Sequence, residues 1–165
     1  MIDGGLRQLV RRYLADFHWA AVETGGTGRG IPDDNFCHDG VEGWVEHKIA
    51  TGWKVDLRPE QVGWIERRRR SGGRVFILVR RTNASSECDD VYLFAGDDAR
   101  KLKTFGLPRG KPLAAADQAM PLAFCPGYGP QKWDWERIRD LLLRFDFLSL
   151  SKGAIESRHI KGDTP

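Results

Sequence analysis

The residues able to do chemistry concentrate in one stretch, positions 31–48: Ile-Pro-Asp-Asp-Asn-Phe-Cys-His-Asp-Gly-Val-Glu-Gly-Trp-Val-Glu-His-Lys. Asp39-Gly40 is a hairpin-turn pair between two short apolar-polar runs. Folding the stretch back at that turn brings Asp33 next to Glu46 and Lys48. Strand side chains alternate faces, so Glu46 and Lys48 share one face and the His47 ring points away. Two carboxylates converging on one spot repel unless a cation joins them. A divalent metal held by oxygen ligands is the usual solution, and it leaves the lysine free to act on a phosphate or a water. An isolated Glu-x-Lys in a strand is ordinarily a same-face ion pair worth about 0.5 kcal/mol. Asp33, one hairpin upstream, and the glycine-rich lead-in argue for more than that here.

Ile31-Pro32-Asp33 followed by Glu46-x-Lys48 resembles the signature of the PD-(D/E)xK nuclease superfamily. The preceding Gly25-Gly26-Thr27-Gly28-Arg29-Gly30 and the following Arg58-Pro59-Glu60-Gln61 make the stretch similar to the VRR-NUC and Holliday-junction-resolvase-like nucleases of phages and bacteria. The resemblance covers residues 18–80. It implies a restriction-endonuclease-like α/β fold, a mixed sheet flanked by helices. It implies an endonuclease that hydrolyses DNA phosphodiester bonds with Mg²⁺ or Mn²⁺, often on branched or junction DNA and often as a homodimer. The setting would be the cytoplasm of a bacterium or of a phage-infected host cell.

The same resemblance assigns roles by position. Local spacing does not separate the adjacent Asp33 and Asp34, and the family pattern, an acid directly after proline, selects Asp33. Asp33, Glu46 and the backbone carbonyl of His47 would hold the metal. Lys48 would position the attacking water or neutralise charge on the phosphate, with Gln61 assisting. Many relatives add a glutamate from the first helix. The corresponding helix here has none; its acids are Asp3 and Asp16 at the ends, and Glu23 is a further candidate at a strand end.

The surrounding elements follow from periodicity. Leu6, Leu9, Val10, Tyr13 and Leu14 predict an amphipathic helix over 4–16, with Arg7, Arg11 and Arg12 on its solvated faces. A strand is predicted over 17–22. Residues 24–30 hold four glycines, yet Arg29-Gly30-Ile31-Pro32 lacks the Gly-Lys-Ser/Thr of a phosphate loop. The glycines instead let the backbone pass close to the site, with Thr27 and Arg29 available to a phosphate. Pro59 suits the first position of a helix over 59–70. Strands are expected over 74–80 and 91–95 and a short helix over 99–105, started by Asp97-Asp98. Residues 106–130, rich in proline, read as irregular, followed by a last helix over 130–146. The order helix, strand, strand, strand, helix, strand, strand, helix suggests an α/β sandwich. Residues 1–150 read as one nuclease-like domain and 151–165 as a polar tail.

Composition sets the bounds. The chain has 165 residues, 41% hydrophobic and 30% charged, with a formal net charge of +3. Three distant cysteines fit neither a zinc site nor a disulfide framework, and no apolar run is long enough for a signal or a membrane span. The mild net charge does not itself point to nucleic acid, but its distribution does. Arg67, Arg68, Arg69 and Arg70 end one helix, Arg74 follows, and only Glu66 opposes them locally. With Arg29 they read as a phosphate-binding surface. The competing readings are a non-catalytic DNA-binding or interaction module on the same scaffold, with the acids as relics, and a nuclease acting on RNA.

Overall fold

The computed structural model of the protein describes residues 5–22, 28–83, 88–109, 117–127 and 129–150. Asp3, Glu23, Thr27 and the 151–165 tail, all singled out above, lie outside the described residues.

Six strands form one mixed sheet in the order β1-β2-β3-β4-β5-β6. They are β1 (His18–Ala21), β2 (Asp34–His38), β3 (Val41–Ala50), β4 (Val75–Thr82), β5 (Asp89–Ala95) and β6 (Ala123–Cys125). All neighbours run antiparallel except β3 and β4 at the centre. A parallel pair needs a crossover, and α2 (Pro59–Arg70) supplies it. Asp39 and Gly40, at φ 48° and 76°, join β2 to β3 in a two-residue turn. Two successive positive φ values match the right-handed strand twist, which is why this dipeptide fixes the hairpin and its register.

Side-chain alternation sorts the rest into two layers. Phe36, Val45, Phe76, Leu78, Val91 and Leu93 face α1 (Leu6–Tyr13) and α4 (Trp135–Arg144), packing against Leu6, Val10, Ile138, Leu141 and Leu142. Val75, Ile77, Val79, Tyr92 and Phe94 face the opposite way, toward Val62 and Ile65 of α2 and Ala99 and Leu102 of α3 (Ala99–Phe105). Each fully buried large side chain contributes roughly 1.5–3 kcal/mol, so both layers are needed to hold the sheet between them. The α/β architecture with a mixed sheet flanked by helices is the one expected.

Three expectations need correction. The stretch read as irregular contains β6, whose three residues are too few to carry a visible alternation. The last helix is interrupted: a 3₁₀ turn at Pro130–Lys132 precedes α4, with Trp133 extended between them and Asp134 capping the Arg137 N–H. Arg7 and Arg11 are not simply solvated. Both reach back to a buried carboxylate of β2, described below. Among the described residues no helix is long and apolar enough to cross a membrane.

Candidate active site

The hairpin and α2 build the site together. Asp34 pairs with Val45 across β2 and β3, which places Asp33 opposite Glu46. Asp33 Oδ2 accepts the His47 backbone N–H at 2.9 Å, fixing the carboxylate past the end of β2. A strand residue turns its N–H and its carbonyl to the same side, so the His47 carbonyl faces the same gap. Glu46 and Lys48 project from the other face of β3, toward α2, as alternation predicts.

Gln61 ties these residues to the helix. It stands at the third position of α2, where a glutamine side chain can reach back to the helix-capping backbone. Its Oε1 accepts the Arg58 N–H at 3.0 Å and the Lys48 Nζ at 3.0 Å. Its Nε2 donates to Glu46 Oε1. Lys48 Nζ also lies 3.0 Å from Glu46 Oε1. Gln61 is therefore both a helix cap and the bridge of the site, and at 3% exposure it is not a solvent-facing residue. Gly30 closes the other side. Its φ is 87°, and a Cβ there would stand 2.2 Å from the Glu60 carbonyl oxygen, so only glycine lets the chain run against the first turn of α2.

Glu46 is fully buried. Burial, then the charge of Asp33, pushes its carboxyl up to about 7, and Lys48 only partly opposes them. Its Oε2 is buried without a hydrogen-bond partner among the described residues. A buried carboxylate oxygen left bare is costly, and a cation is the partner whose chemistry it suits. The donor set of Asp33, Glu46 and a backbone carbonyl, all oxygen, fits a hard divalent ion such as Mg²⁺. Among the described residues no group of three His, Cys, Asp or Glu side chains forms a metal site by itself; the candidate set is two carboxylates and a main-chain oxygen.

The opposite face of the same strands carries a second polar cluster that sequence reasoning missed. Asp34, 1% exposed, accepts from Arg7 Nε at 3.2 Å, Arg11 Nη2 at 2.6 Å, and lies 3.1 Å from His47 Nε2. Burial alone would raise this carboxyl, but hydrogen bonds from His47 and the two arginines outweigh it and hold it well below the usual carboxylate range. The signal was present: Arg7 and Arg11 are four apart and so share a helix face. What was invisible was that this face meets β2.

The arginines separate into two groups. Arg69 donates to Asp97 Oδ2 and the Gly73 carbonyl, each at 2.7 Å. Arg74 donates to the carbonyls of Leu142 at 2.8 Å and Phe145 at 2.9 Å, satisfying the C-terminal end of α4. These two hold the fold, and the structure does not bring Arg74 into an open phosphate surface. Arg29, Arg67, Arg68 and Arg70 are exposed and make no ion pair among the described residues. Asp97 and Asp98 are likewise occupied, by Arg69 and by Lys101 with the Met120 N–H.

No protein-family model matches the chain, and no curated protein matches it significantly.

Proposed function

We propose that the protein is a metal-dependent nuclease that hydrolyses phosphodiester bonds in DNA, of the PD-(D/E)xK kind that its sequence resembles. The observation that carries the reading is Glu46: a fully buried carboxylate with one oxygen unpartnered among the described residues, beside Asp33 and an anchored lysine. Asp33, Glu46 and the His47 carbonyl would hold Mg²⁺ or Mn²⁺, which when bound supplies Lewis-acid polarisation and charge stabilisation. Lys48 is held by Gln61 and Glu46, with its side chain 16% exposed. From there it would orient the attacking water or offset negative charge growing on the phosphate. Gln61 keeps Lys48 and Glu46 in fixed relation, so it is a positioning residue. The arginines without an ion pair among the described residues would hold the DNA backbone without reading sequence. Branched or junction DNA, a homodimer and a bacterial or phage-infected cytoplasm complete the proposal on the strength of the resemblance.

The test is a cleavage assay on linear, nicked, flapped and four-way DNA with Mg²⁺, Mn²⁺ or EDTA. Metal-dependent cutting that disappears in Glu46→Ala is the expected result. Binding on every substrate without cutting would overturn it in favour of a non-catalytic DNA-binding module.

A further inference from the structure

The face of α2 beside the site carries an aromatic and cationic patch with no role in the chemistry above. Trp44 lies two residues before Glu46 and therefore on the same face of β3. Trp64 lies one helical turn beyond Gln61. The two half-buried indoles meet edge to face, with centroids 5.2 Å apart. The Arg68 guanidinium sits 5.8 Å from the Trp44 ring centre and 5.9 Å from that of Trp64. Arg67, three residues beyond Trp64 on the same helix face, is exposed and without a carboxylate partner among the described residues. The nearest acids on the helix are Glu66, paired with Arg100 at 2.6 Å, and the exposed Glu60.

Three further details separate this patch from ordinary packing. The indole N–H groups of Trp19, Trp133 and Trp135 each donate to a backbone carbonyl. That of Trp44 is buried and has no acceptor among the described residues. Gly63, in the helix interior next to Trp64, is the second detail. Glycine is the poorest helix former after proline, yet a Cβ at Gly63 would meet only Arg67 Nη1 at 3.4 Å, an ordinary contact. No neighbour among the described residues requires the glycine. The third is sequence order: Arg67 and Arg68 follow Trp64 by three and four residues and so share one face of α2 with it.

We infer that this stripe is a binding track for an unpaired DNA strand leading to the candidate active site. Trp64 offers a base-stacking surface, Arg67 and Arg68 take neighbouring phosphates, and Gly63, beside Trp64 and one turn before Arg67, leaves room for the sugar. Stacking on an aromatic beside cations holds a strand whatever its sequence, because every base has a π-face. A duplex hides those faces, so the track selects unpaired ends or flaps over uninterrupted duplex. The inference rests on the nuclease reading for the nature of its ligand.

Fluorescence anisotropy with labelled oligothymidylate, in EDTA so that cutting plays no part, tests it. Trp64→Ala is expected to weaken binding about tenfold, and Trp64→Phe, which keeps a stacking ring, by no more than about threefold. Arg67→Ala with Arg68→Ala should flatten the salt dependence by about 0.7 in slope for each phosphate no longer neutralised. Gly63→Gln, a better helix former, should raise the Tm while weakening binding, an outcome that a purely structural glycine does not give. If all four variants bind as the wild type does, if duplex DNA binds as tightly as the single strand, or if oligouridylate binds more tightly, the inference is overturned. Cutting that persists beside variant-insensitive binding removes the track alone. Variant-sensitive binding with no cutting on any substrate removes the nuclease reading and leaves a single-strand binding surface.

Discussion

Asp34 and Glu46 stand on opposite faces of one hairpin, both fully or almost fully buried, and their surroundings treat them in opposite ways. Asp34 receives donors from two arginines and an imidazole and is held ionised. Glu46 has one oxygen bound by Gln61 and Lys48 and the other without a partner among the described residues, and its carboxyl is pushed up to about 7. Burial acts on both in the same direction. At Asp34 the donors outweigh burial, whereas at Glu46 the neighbouring charge of Asp33 adds to it and Lys48 only partly opposes them. A carboxylate satisfied by its own protein has a structural task; on the proposed function, the one left short of donors would take a cation. The Asp34 face fastens α1 to the sheet, and the Glu46 face leaves an acceptor open beside a lysine.

The sharpest break in this comparison comes from Lys48→Ala. On the proposed function it should lower the cleavage rate by at least about a hundredfold, the usual cost of removing one electrostatic stabiliser. DNA affinity in EDTA should stay within about twofold. Cleavage retained at the wild-type rate would remove Lys48 from the chemistry.

On the other face, Asp34→Ala leaves Arg7, Arg11 and His47 around an empty space. A loss of about 3 kcal/mol in urea unfolding is expected, the low end for a buried ionic partner removed. Asp34→Asn sharpens the point through pH. Because the folded carboxyl titrates below its unfolded value near 3.8, its stabilisation is complete above that value and is lost as pH falls through the folded one. The stability gap between wild type and Asp34→Asn should therefore be open at about pH 6 and close as the pH is lowered below about 4.

The smallest expected effect belongs to Glu46→Gln. The variant keeps the shape and removes a buried charge, so the metal-free protein should gain about 1 kcal/mol. Mg²⁺ should raise the Tm of the wild type by binding the native state and should not raise that of the variant. An equal Mg²⁺ response in both would place the ion elsewhere.

Much of this was legible in the residues. Alternation put Glu46 and Lys48 together and turned His47 away; Asp39-Gly40 named the turn; Pro59 marked the first residue of α2, and Arg70 its last. These are local properties, set by strand parity, turn chemistry and the missing N–H of proline, and they do not depend on the rest of the chain. β6 was not legible, because three residues next to prolines carry no pattern, and it exists only because β5 offers an edge. Nor was the division among the arginines. Arg67, Arg68, Arg69, Arg70 and Arg74 are alike as a run of letters, but Asp97 and the end of α4 claim Arg69 and Arg74 from distant parts of the chain.

The sequence by itself determined the hairpin, the register that brings Asp33 opposite Glu46, and the position of Gln61 in the first turn of α2. Short-range sterics and backbone hydrogen bonding are enough for that. Only the tertiary structure decided which acid is satisfied and which keeps an oxygen without a partner among the described residues. The donors that make the difference come from α1 and α2, and the strength of a buried charge depends on what packs over it.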